Sequence, residues 1–196
     1  MHGKSCYLPV QPSSELIFLR TYRDHIFTEI YYLTVIFVGT KMSDIDQIPR
    51  LISLASNTNQ LQNAQHTAAQ KLLDFDGEVY PSDGCAITLS TLLQEAGIVV
   101  DDTYQALALG NVLSARHWQR IPVGEQQNGD VGSTCGPTPN HGRDHIYLVL
   151  KVLNTDEMVI ADNQQPQPHF RFASGQGRTP TKFFLRATLD TAERID

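Results

Sequence analysis

The sequence predicts an α+β domain, with N-terminal helices packed on a small antiparallel sheet. Three observations carry that expectation. Apolar residues recur with helical spacing in the segment after Met42, short strand-like runs follow from Trp118 onward, and two of those runs are joined by a turn as a hairpin.

Taken in order, residues 59–75 read as an amphipathic helix with Leu61, Ala64, Ala68, Leu72 and Phe75 inward and Gln62, Gln65, Gln70 and Lys71 toward water. The next helix opens at Cys85, with Leu89, Leu92, Leu93 and Ala96 on the same face. Ser82 and Asp83 are expected to cap its start, and Gly97 offers a left-handed stop. Asp101, Asp102 and Thr103 should cap a further helix that runs through Leu109 until Gly110 and Asn111 break it. Residues 118–121 suit a short strand, and residues 122–129 and 134–143 are loops rich in Gly, Pro, Gln and Asn.

Residues 145–153 form an apolar run with Ile146, Leu148, Leu150 and Val152 on one face. The turn at Asn154, Thr155 and Asp156 leads to a second strand at 158–161, and the two should pair as a hairpin. Loops at 164–168 and 174–178 precede a last strand at 182–186. No internal repeat or heptad is present.

Ahead of this domain, at 42–196, residues 1–41 read as a poorly defined extension. The nine-residue apolar run at 30–38 is too short to span a bilayer. Arg20, Arg23 and Lys41 flank it, but Asp24 and Glu29 precede it and no small-residue cleavage pattern follows, so it makes a poor secretory signal. A mis-assigned start codon is the expectation favoured here, with Met42 opening the domain. Localisation stays open between the cytoplasm and export by a route other than the general secretory one.

The 196 residues are 41% hydrophobic, enough for one core. A net charge of −6 without a Lys/Arg run argues against nucleic acid as the main partner. Three cysteines, Cys6, Cys85 and Cys135, imply no disulfide framework, although a Cys85–Cys135 bond would silence a nucleophile.

Cys85 carries the chemistry. A thiol at a helix N-terminus meets the positive end of the dipole, which favours thiolate. The bland alternative is a small buried hydrophobe opening an amphipathic helix. A cysteine nucleophile needs a base and a group to orient that base. The hairpin brings His145, at the start of its first strand, beside Asp162 and Asn163, at the end of its second. Asp162 is preferred as the orienter because a carboxylate also stabilises imidazolium, and strand alternation should turn only one of the two inward. The oxyanion would be met by the Cys85 N–H with Ser82 or the Tyr80 hydroxyl.

Rival sites are weaker. Cys135, His141 and His145, with Asp144 between, place metal-binding side chains close together, but Gly136, Pro137, Pro139 and Gly142 oppose the helix that would align the two histidines. The reading therefore assigns no metal and no cofactor, with a zinc hydrolase as the lesser alternative. His117 beside Trp118 reads as a surface histidine, and His169, between Pro168 and Phe170, is a lesser candidate for a second imidazole near the site, with no functional role the favoured expectation. Ser90 and Ser133 lack supporting His and acid partners.

The Asp83-Gly84-Cys85 start, the helix ending in residues 94–98, the Gly129-Asp130-Val131 turn and His145 opening an apolar strand resemble the NlpC and CHAP families. These are papain-like cysteine amidases and peptidases that cut peptidoglycan stem peptides. The resemblance covers about residues 80–164, and less firmly the last strand. It implies a papain-like fold, hydrolysis through a thioester, a peptidoglycan peptide or other amide as substrate, and an inhibitor or immunity protein as a further partner. The helix after Cys85 looks closer to NlpC, and the Asp162-Asn163 ending closer to CHAP. NlpC members usually carry Asp directly before the cysteine and Ser-Gly after it. Here Gly84 intervenes and Ala86-Ile87 follow, which keeps an inactive papain-like binding module in view.

Overall fold

Four helices come first and six strands follow among residues 42–140 and 142–189, which the computed structural model describes. The helices are α1 (Asp44–Ser56), α2 (Thr58–Asp76), α3 (Cys85–Ala96) and α4 (Ala106–Ala115). The strands are β1 (Gln119–Ile121), β2 (Val131–Ser133), β3 (Ile146–Val152), β4 (Glu157–Ala161), β5 (His169–Phe172) and β6 (Phe183–Arg186). They form one antiparallel sheet in the order β1-β6-β2-β3-β4-β5. The fold is α+β. Residues 1–41, with their apolar run, lie outside the described residues.

The hairpin forms as its local chemistry dictates. Asn154 Oδ1 accepts the N–H groups of Asp156 and Glu157 at 2.9 and 2.8 Å, an Asx turn that reverses the chain between β3 and β4. Ile146, Leu148 and Leu150 pack with Leu61, Leu89 and Leu92 in the main core between helices and sheet. Tyr147, Val149, Met158, Ile160 and Phe184 form a second cluster from the alternate positions. A bulge between Val149 and Lys151 resets the alternation, so Val152 joins this second cluster rather than the first.

Three local expectations are corrected. Neither Ser82 nor Asp83 caps α3: its N-cap is Gly84, without a side-chain cap bond. Glycine is required there because a Cβ would sit 2.8 Å from the Tyr80 ring. Helix α4 starts after Gln105 and runs on through Gly110 and Asn111. Gly110 is buried with Leu185 as its neighbour, and packing on β6 outweighs the roughly 1 kcal/mol that glycine costs a helix. Asp102 does not cap α4 but accepts Lys71 and Gln94 at 2.6 and 2.9 Å.

The Gly129-Asp130 turn is structural. Gly129 has φ +91, and the buried Asp130 takes a two-pronged bond from Arg186 at 2.8 and 2.9 Å, tying the start of β2 to β6. Inside β2, the Tyr147 ring lies across Gly132, where a Cβ would approach within 2.2 Å of it. Tyr147 is wholly buried and its hydroxyl bonds Thr181 at 2.7 Å, so the ring has little room to retreat. Gly132→Ala is therefore expected to cost about 2–3 kcal/mol as overpacking, read as a lower midpoint in urea unfolding.

Candidate active site

Cys85 is the first residue of α3 and lines two neighbouring cavities. One, of about 350 Å³, is walled by Phe75, Asp83, Asp102, Tyr104 and Asp144. The other, of about 460 Å³, is bounded by Ser82, Asp83, Asp144, His145 and Asn163. Phe75, expected in the core, is 62% exposed and stacks on Tyr104 with centroids 3.9 Å apart. It extends the helical pattern by one position too many, because the helix end projects past the core.

His145 is held from both sides by Thr134. Its N–H donates to Thr134 Oγ1 at 2.8 Å, and its carbonyl accepts the Thr134 N–H at 3.0 Å. Its ring Nε2 meets Asp162 Oδ2 at 2.9 Å. Against an ionised carboxylate Nε2 must be the donor, which leaves Nδ1 as the basic nitrogen. Cys85 and His145 border the same cavity, with no hydrogen bond between sulfur and ring among the described residues.

Asp162 is buried at the end of β4, with Oδ1 accepting the Gln164 N–H at 2.7 Å. Burial acts to raise its carboxyl, but the His145 hydrogen bond and charge, with His169 and the Gln164 N–H adding to them, hold it below the ordinary 3.8. Asn163 does not orient His145. Its Nδ2 donates to the Pro81 carbonyl at 2.6 Å, fastening the loop that leads into α3. The expectation that only one of the two turns inward fails: both are buried, because β4 ends at Ala161 and the alternation ends with it.

The clamp on this corner comes from a residue expected to face water. Gln65 on α2 is buried, and its Nε2 donates to the carbonyls of Asp162 and Gln165, each at 2.7 Å. A glutamine on the polar side of a helical pattern carries no signal of this role.

The thiol differs from the sequence expectation. Burial pushes Cys85 up to about 11, while the backbone N–H groups of Ile146 and Ala86 act in the other direction. Desolvation outweighs the helix N-terminus, so the resting group is a neutral thiol.

Of the suggested oxyanion donors, Ser82 lines the cavity, and the first-turn amides of α3 lack intrahelical acceptors. Tyr80 does not line either cavity. Its hydroxyl pairs with Thr88 Oγ1 at 3.2 Å, and burial raises it to about 12. Cys135 is buried, and both it and Cys85 are free thiols. His141 lies outside the described residues, and no group of three His, Cys, Asp or Glu side chains among the described residues is placed to hold a metal. Trp118 is buried, with Nε1 donating to Asp44 at 2.9 Å. Ser90 and Ser133 make structural bonds, to the Ile87 carbonyl and from the Cys135 N–H.

Comparison with protein-family models, curated proteins and solved structures finds no match for this chain. No helix among the described residues is long and apolar enough to cross a membrane.

Proposed function

We propose that this protein is a thiol-dependent amidase or peptidase of papain-like arrangement, acting on peptidoglycan stem peptides. The supporting observation is the 2.9 Å His145–Asp162 bond on the cavity that Cys85 also lines. The substrate class rests on the resemblance of residues 80–164 to the NlpC and CHAP families.

In this reading His145 Nδ1 takes the Cys85 proton as the sulfur attacks the amide carbonyl carbon. The oxyanion forms against the Cys85 N–H, with Ser82 beside it. His145 then gives its proton to the leaving amine as the C–N bond breaks, forming a thioester. Water, deprotonated by His145, cleaves the thioester to a carboxylate and restores the thiol. Because the resting thiol is neutral, proton transfer must accompany attack. Asp162 contributes by holding Nε2–H and stabilising the imidazolium.

A second reading, a papain-like binding module without activity, is favoured by the raised thiol and its missing bond to His145. Alkylation of Cys85 by iodoacetamide against pH, resolved by peptide mass spectrometry, separates the two. The amidase reading expects labelling at pH 7 to fall at least about tenfold in His145→Ala, since the base is then absent. A single rise toward pH 11, indifferent to His145 in folded protein, favours the binding module.

A further inference from the structure

Asp162 faces two imidazoles. Oδ2, which meets His145 at 2.9 Å, also lies 3.7 Å from Nε2 of His169. The second ring is placed by the sheet, since His169 opens β5 opposite Ile160 of β4, two residues before Asp162. Neither of its ring nitrogens is exposed, and neither makes a hydrogen bond of good geometry among the described residues, although the Gln167 backbone lies close enough to favour the protonated ring. Buried ring nitrogens call for a polar partner, and the Asp162 carboxylate is the acidic group the fold sets beside this ring.

Resting on the reading of His145 as the base, we propose that His169 is a positioning residue that shares the Asp162 carboxylate with His145 and so sets how firmly the carboxylate holds the His145 ring. His169 does not reach the thiol cavity's lining and acts only through Asp162. A small movement of the His169 ring brings it into hydrogen-bond range of the oxygen that His145 uses. The two rings then compete for one acceptor.

Charge decides when that competition is strong. Burial opposes protonation of His169, and Arg171 on β5 and Arg178 in the following loop oppose it too; Asp162 is the charged group that favours it. The guanidinium of Arg171 is itself held over the Tyr147 ring at 4.5 Å, with Nη2 donating to the Thr179 carbonyl. Acidification that does protonate His169 gives the carboxylate a second cation and loosens its hold on His145.

The test follows the imidazole N–H proton of the His145–Asp162 bond by NMR against pH in the full chain, assigned by its loss in His145→Gln. In the wild type this resonance is expected to move in two steps, one of them set by His169. In His169→Phe and His169→Gln one step is expected to vanish, and iodoacetamide labelling of Cys85 on the acid side to fall about threefold, since the unshared carboxylate favours the imidazolium that cannot take the thiol proton. Gln retains a neutral donor and provides a folded variant if Phe does not fit. A single step in the wild type, unchanged in a folded His169 variant, overturns the proposal. His145→Ala, labelled in parallel, reports on the base itself. If labelling ignores His145 while the two-step titration persists, the amidase reading fails and the shared carboxylate stands.

Discussion

Cys85→Ala is expected to abolish cleavage of a peptidoglycan stem peptide, and His145→Ala to lower kcat/KM by about 10³-fold or more. The first change removes the sulfur that forms the acyl intermediate; the second leaves a thiol pushed up to about 11 without the imidazole that takes its proton. Both effects should appear mainly in kcat, since neither side chain is needed to seat the peptide. The folded state should survive both changes. Alanine at position 85 keeps a small apolar group at the head of α3, and the His145 backbone bonds to Thr134 do not depend on the ring. The measurement is amide hydrolysis of purified stem peptides followed by mass spectrometry, beside thermal unfolding. Full activity in folded Cys85→Ala would falsify the mechanism.

Asp162 carries the second large effect, and here stability and activity separate. Asp162→Ala leaves the His145 Nε2–H and the Gln164 N–H buried without their acceptor, at about 1–3 kcal/mol each. A loss of about 2–4 kcal/mol is expected, lowering Tm by several degrees. Asp162→Asn keeps the shape and one acceptor oxygen, so it should be milder in stability. It removes the negative charge that stabilises the imidazolium, and activity should still fall about 10²–10⁴-fold. The pH dependence follows from the carboxyl lying below its ordinary 3.8 in the folded state. Its contribution to stability is complete above the unfolded value of about 3.9 and is lost as pH falls through the lower folded value. Urea midpoints between pH 7 and 2 should therefore drop less steeply on the acid side in Asp162→Asn than in the wild type. Parallel acid branches would mean that Asp162 is not the carboxylate responsible.

The features readable from the sequence are those that a few neighbouring residues settle. Cys85 opens α3 because an apolar face with helical spacing begins there and Gly97, at φ +98, ends it. The β3–β4 hairpin follows from Asn154 satisfying its own turn, and the hairpin carries His145 to Asp162 without reference to anything distant. These are local geometries, and local composition suffices for them.

Other assignments needed the packed molecule. Gln65 lies far from Asp162 in sequence, and its clamp exists only because α2 crosses the end of β4. The choice of Asp162 over Asn163 turned on where β4 stops, since beyond Ala161 the chain no longer alternates and each side chain follows its own partner. Helix α4 ignores the Gly110-Asn111 break because contact with β6 outweighs propensity. The thiol is the sharpest case. A helix N-terminus alone favours thiolate, but Cys85 is 7% exposed, and desolvation scales with everything packed around the sulfur rather than with the helix that bears it. By itself the chain determined the helix start at Cys85 and the hairpin that joins His145 to Asp162, through short-range periodicity and turns. Only the tertiary structure decided their protonation and their partners, because both depend on burial by segments remote in sequence.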